Sequence, residues 1–254
     1  VNVAPYGYEG SNPSSGTQKM KSKLLSLLVY LALLLSLTYP YTDFDWGWHY
    51  RYGEHIIKTK NILRQDKFSW IIPNYEWVNH SWGYDILVYW VYTLSGFKGF
   101  LYLGPLIMFA IFYIAVAPYK LSAWKVGVLA PIYYFGTTSI YNQGLRSQII
   151  GLLLLSILLN QINRRPWLSP FIVLLCVNMH GSFIVGLVIV WFYYIYQSII
   201  KNHSYKLLFI TLLSTLATFI NPFGYKVYTE IFRHLGSPWL QYIYEWRSVE
   251  WGIS

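Results

Sequence analysis

Six of the ten carboxylates in this chain, Asp43, Asp45, Glu54, Asp66, Glu76 and Asp85, fall between positions 43 and 85, and none stands between Ile86 and Thr229. Any carboxylate chemistry must therefore use that stretch or the C-terminal Glu230, Glu245 and Glu250. The stretch opens with YTDFDWGWHYRYGEH from Tyr41, directly after an apolar run, and closes with VNHSWGYD from Val78 to Asp85, where another apolar run begins. Its two ends thus lie at one depth, so Asp43, Asp45, His49, His80 and Asp85 can converge. The Asp43-x-Asp45 spacing with His49 could take a divalent cation, although two acids alone are a weak ligand set for one. Further polar residues mark the ends of later apolar runs: Arg146 and Gln148, then Asn178 and His180. Plainer roles are open to all of them. Asn79-His80-Ser81 is good capping material, Arg146 can be a charge that sets topology, and Asn178 and His180 can close a helix before Gly181.

The elements that must carry these residues are apolar helices. The 254 residues are 55% hydrophobic and 11% charged, against about 25% charged in a soluble domain. Aromatic residues make up 20%, which suits side chains at headgroup level with one wet end. Apolar segments run over 24–39, 84–97, 100–118, 126–135, 149–160, 167–177, 183–200 and 207–220. The expected fold class is an all-α polytopic integral membrane protein of about seven to eight hydrophobic helices, with a large first extracytoplasmic loop. Several segments fall short of the roughly 20 residues a full crossing needs, and Gly104-Pro105, Pro118, Pro131 and Gly136 punctuate them, so tilted, broken or half-crossing helices are expected. Residues 48–63 have the pattern of an amphipathic helix lying on the membrane surface. The net charge of +9 reads as loop basicity that orients helices, and no nucleic-acid partner is expected. Cys176 lies in an apolar run and reads as packed.

Residues 1–19 are polar and rich in Gly, Ser, Asn and Pro, and are expected to be a disordered, non-native leader. Gly10-Ser11-Asn12-Pro13 is what the T-arm of a transfer RNA gene encodes in one frame. The transmembrane domain is expected over 20–254, truncated at its C-terminus. The run 21–37 has the make-up of a signal peptide, but no small-x-small cleavage site follows, so an uncleaved first span is the reading. Lys19, Lys21 and Lys23 place the N-terminus inside and the 41–81 loop outside. Arg164-Arg165 and Lys201/Lys206 also read as inside. Counting both 84–97 and 100–118 as full spans puts Arg164-Arg165 on the wrong side; parity is restored if one of the short early segments only dips in.

An apolar first span followed by an Asp-x-Asp-x-x-Trp-His-like stretch, an outer-surface helix, D-x-F-S, W-x-x-H-S-W and a returning helix resembles the GT-C membrane glycosyltransferases. More closely, the chain is similar to uncharacterised bacterial relatives of the protein mannosyltransferases and the lipid A aminoarabinose transferases. The similarity continues at LRSQ (145–148), VNMHGSF (177–183), NPFG (221–224) and YEW (244–246), although Ser147 stands where relatives often carry proline. The resemblance implies transfer of a sugar from a polyprenyl-phosphate carrier to an acceptor at the outer face of a bacterial cytoplasmic membrane, with the N-terminus cytoplasmic. It makes Asp43 or Asp45 the base that takes the acceptor proton in an inverting displacement. It makes Arg146 a phosphate ligand through its planar fork, and His49, His80, Gln148, Asn178 and His180 further substrate or phosphate contacts. Membrane lipid surrounds the spans, and metal dependence stays open. The alternative class is a non-catalytic membrane scaffold, or an inactive fragment of such a fold.

Overall fold

The computed structural model describes residues 13–37, 45–68, 75–141, 144–201, 205–238 and 242, and these form ten α-helices with no strand among them. They are α1 (Pro13–Ser36), α2 (Trp46–Thr59), α3 (Trp82–Ser95), α4 (Phe97–Val116), α5 (Ala123–Tyr141), α6 (Ser147–Gln161), α7 (Ser169–Met179), α8 (Phe183–Lys201), α9 (Tyr205–Ala217) and α10 (Lys226–Leu235). The eight apolar runs became α1 and α3 to α9. The amphipathic stretch became α2, which stops earlier than its sequence pattern: Lys60 turns left-handed (φ 57°), and its N–H closes on the Ile56 carbonyl.

Among the described residues, two helical stretches are long and apolar enough to cross a membrane, Phe97–Tyr119 and Phe183–Ile200. The second is buried over only 17% of its apolar window, so most of its Val, Ile and Phe side chains face away from the protein. The core has two parts. One gathers α1, α3, α4, α5 and the start of α6 around Tyr84, Phe100, Met108 and Ile149. The other gathers α6, α7, α8 and α10 around Leu158, Val173, Cys176, Phe183 and Val227. Leu154 on α6 packs against both, so α6 is the seam of the molecule.

Contacts give each helix its direction. α4 and α6 run parallel: Gly104 lies beside Leu145 at their upstream ends, and Asn160 donates to the Ile114 carbonyl at their downstream ends. α3 turns the chain back on itself. It lies antiparallel on α2, with Trp46 against Tyr92 and His49 against Tyr84. Trp46 also packs on Phe97 and Phe100 in the first turn of α4. α4 therefore begins beside the residue that begins α2, and α3 returns the chain to the same end of the bundle.

Two expectations are corrected. Residues 13–19, read as disordered, form the first turns of α1; proline at a helix start has its φ already set, and an established helix extends at little cost. Neither internal proline breaks its helix: α4 runs through Pro105 and α5 through Pro131. Proline inside an apolar helix is tolerated where neighbouring helices absorb the lost backbone bond, and Pro105 is buried among them.

Candidate functional site

The polar side chains collect at the end of the bundle where α2, α3 and α10 lie across the upstream ends of α6 and α8. The chain must pack tightly to achieve this. A Cβ on Gly53 would stand 2.7 Å from the Asp85 carbonyl carbon and 2.8 Å from Tyr89 Cβ, well inside the normal contact distance of about 3.5–4.0 Å. A Cβ on Gly151 would collide with the Ser182 hydroxyl and come to 3.0 Å of His180 Nδ1. Glycine at these two positions lets α2 rest on α3 and α6 rest on the turn between α7 and α8.

Arg146 meets Asp45 across 101 residues, its Nη2 donating to Oδ2 at 3.0 Å. Each residue stands at the N-cap of a helix, Asp45 before α2 and Arg146 before α6. Neither side chain makes a capping bond to its own helix, and the N–H groups and dipole at such ends favour negative charge. The Arg146 side chain is only 11% exposed, whereas that of Asp45 is 60% exposed. A pair with one partner this wet contributes about 0–1 kcal/mol.

Deeper in, His49 Nδ1 lies 2.6 Å from Asp85 Oδ1, and Asn79 Nδ2 donates to Asp85 Oδ2 at 2.5 Å. Asp85 is 1% exposed, and a buried carboxylate persists only when its oxygens are bonded. Asn79 in turn accepts from the backbone N–H and hydroxyl of Ser81. The Asn79-His80-Ser81 segment thus holds Asp85, and no side chain of it caps α3. Tyr84, edge-on to the His49 ring, donates its hydroxyl to the Leu145 carbonyl at 2.6 Å and so ties this network to the residue before Arg146.

A third group sits alongside. The rings of His80 and His180 lie 6.4 Å apart. Burial pushes His80 down to about 4, aided by the neighbouring His234 and His49, while a bond to the Val78 backbone opposes the shift. Burial, then His80, pushes His180 down to about 4 as well. Both are therefore neutral at pH 7. The Ser182 N–H donates to His180 Nδ1 at 3.0 Å, which assigns the proton of the neutral ring to Nε2. His80 Nδ1 and the Ser182 hydroxyl are buried without a hydrogen-bond partner, an arrangement that costs about 1–3 kcal/mol per group unless something else satisfies it.

The other expected residues fall as follows. Asn178 is spent on structure: it accepts from Trp82 Nε1 at 2.8 Å and donates to the Leu174 and Ile220 carbonyls, clamping α3, α7 and the end of α9 together. Gln148 is half-buried in the first turn of α6. Asp66 of the D-x-F-S stretch accepts from the Tyr52 hydroxyl and the Phe68 N–H, which shapes its own loop. Asp43, Glu245 and Trp246 lie outside the described residues. Among the described residues no three His, Cys, Asp or Glu side chains gather as a metal site; Asp45 and His49 turn to separate partners.

Sequence reasoning passed over Tyr84 and Ser182, read Asn79 only as capping material, and placed Asp85 among the converging residues without giving it a role of its own. Asp85 did carry a signal, as the last acid before the acid-free stretch and one set in the first turn of an apolar helix. Compared with known proteins, the chain matches no family model, no curated protein and no solved structure.

Proposed function

We propose that this chain is a multi-pass membrane protein that transfers a sugar from a polyprenyl-phosphate carrier to an acceptor at its outer face, by GT-C-like inverting displacement. In this reading α1 and α4 to α9 cross the bilayer, while α2 and α3 lie in its outer interface. With α3 not crossing, Arg164-Arg165, Lys201 and the N-terminal lysines all fall on the inner side, as the bias of basic residues requires. The apolar, outward-facing surface of α8 supports the membrane setting: a helix apolar on every side belongs in a core or in lipid, and α8 is mostly unburied.

The observation that carries the chemical part is the junction of Asp45 with Arg146, at the end of the bundle that also holds the half-buried His80 and His180 rings. The acceptor hydroxyl attacks the anomeric carbon and gives its proton to the Asp45 or Asp43 carboxylate. The bond from that carbon to the phosphate oxygen breaks, and polyprenyl phosphate leaves with the electron pair. Arg146 and the start of α6 receive the phosphate charge, while the unpartnered His80 Nδ1 and Ser182 hydroxyl offer polar contacts to substrate. A preorganised donor in such a setting is worth about 10²–10³ in rate.

The test is transfer by the purified full-length protein in proteoliposomes supplied with polyprenyl-phosphate sugars. Asp43→Asn and Asp45→Asn, singly and together, and Arg146→Gln are compared with the unaltered chain. Arg146→Gln is expected to lower the rate at least about 100-fold, and the double aspartate variant to abolish transfer. Undiminished transfer by the double variant refutes the aspartate base, and absence of transfer by the unaltered chain leaves the scaffold alternative.

A further inference from the structure

At the far end of α1 from Asp45, Lys19, Ser22, Lys23 and Ser26 line one face of the helix and border a groove of about 910 Å³. The opposite wall is Tyr113 at the end of α4 and Lys120 in the turn after it. The groove floor is apolar and aromatic, with Tyr30 edge-on to Phe109, Phe112 and Tyr113 at 5.7–6.2 Å between ring centres. Lys19, Lys23 and Lys120 thus border one trough whose apolar lining is Leu27, Tyr30, Tyr113 and Leu121.

We propose that this groove binds an anionic phospholipid, its phosphate between Lys19, Lys23 and Lys120 and its acyl chains along α1 and α4. Orientation by basic residues accounts for lysines at this end of the chain, but not for their convergence from two separate segments onto one groove. No carboxylate among the described residues pairs with any of the three, and the carboxylates of the 45–85 region lie beyond the other end of α1. Lys19 and Ser36 alone are about 26 Å apart along that helix. Lys120 adds an independent sign. It sits in the left-handed region (φ 48°), where glycine is the easier residue, yet the position holds a long cation that lines the groove. Cationic pockets between apolar helices are suited to lipid headgroups, and the Ser22 hydroxyl lines the same groove. A membrane lipid, rather than a soluble phosphate, accounts for the trough beneath the charges.

This inference rests on the membrane setting proposed above and is independent of the transferase chemistry. Its test is native mass spectrometry of the full chain released from vesicles of phosphatidylcholine in which about one lipid in five is phosphatidylglycerol, so that the zwitterionic lipid is in excess and selection can be read. The unaltered chain is expected to retain phosphatidylglycerol selectively. Lys19→Gln, Lys23→Gln and Lys120→Gln are each expected to weaken retention about fivefold, and about 100-fold in combination. A control carrying Lys60→Gln, Lys67→Gln and Lys98→Gln is expected to retain the lipid. Equal loss in the control, equal retention of phosphatidylcholine, or displacement of the lipid by millimolar inorganic phosphate overturns the proposal. Flotation of the chain with vesicles of phosphatidylcholine alone separates the two readings: a chain that fails to float removes the membrane setting, and one that floats without selecting phosphatidylglycerol removes only the headgroup site.

Discussion

Gly53→Ala puts the packing of the site to a direct test. The new methyl would collide with the Asp85 carbonyl oxygen and lie 2.7 Å from its carbon and 2.8 Å from Tyr89 Cβ, so α2 must lift by at least roughly 0.8 Å to restore contact near 3.5 Å. His49 lies one turn earlier on the same face. Carried with the helix, its 2.6 Å approach to Asp85 opens to about 3.4 Å, beyond the usual 2.7–3.2 Å. Overpacking costs about 1–3 kcal/mol, and loss of a hydrogen bond to a buried charged group adds about 1.5–3 kcal/mol. Alanine returns about 0.5–1 kcal/mol through its better helix propensity. The net expectation is a loss of about 1.5–5.5 kcal/mol. Gly47→Ala is the control in the same helix, because its Cβ would meet nothing within 4 Å, and it is expected to be neutral or stabilising by up to about 1 kcal/mol. Unfolding of both variants in one detergent, with the His49 ring nitrogens followed by NMR, reads stability and the hydrogen bond together. If Gly53→Ala unfolds alongside Gly47→Ala and leaves the His49 signals in place, α2 does not press on α3 as described.

Asp85→Leu leaves the buried Asn79 Nδ2 and the part-buried His49 Nδ1 without their shared acceptor and is expected to cost about 1–3 kcal/mol, whereas Asp85→Leu with His49→Phe and Asn79→Leu recovers much of that; denaturant unfolding of the set decides. Asn178→Leu leaves the Trp82 indole N–H and the Ile220 carbonyl without their partner and is expected to cost about 1–3 kcal/mol, read by the same unfolding curves and by a change in Trp82 fluorescence. Lowering the pH destabilises the fold through His80 and His180. Both are held below their unfolded value, down to about 4, so as pH falls below about 6.5 the unfolded chain takes up protons that the folded chain refuses. Stability is therefore full above that point and declines toward pH 4, by about 3 kcal/mol for each imidazole at most. His80→Phe is expected to flatten the decline, and an unchanged pH profile of unfolding contradicts the burial of that ring.

The periodicity and apolar content of the chain were enough to place eight apolar helices and one amphipathic one, because each reports a local requirement. A helix satisfies its own backbone hydrogen bonds, so a long apolar run declares itself without reference to its neighbours. Arg146, His80 and His180 also stood out, as isolated polar groups at the ends of such runs. Partnerships were not legible. Nothing local says that Arg146 meets Asp45 across 101 residues, that Asn178 is consumed in clamping three segments, or that the last acid before the acid-free stretch is the buried anchor of His49. The direction of α3 was equally hidden. Its apolar run has the composition of a crossing helix, and only the docking of Trp46 onto both Tyr92 and Phe97 keeps it at one end. Composition reports whether a segment can leave water, whereas its path and its polar partners depend on close approaches such as the one Gly53 permits, made between residues the chain order keeps apart.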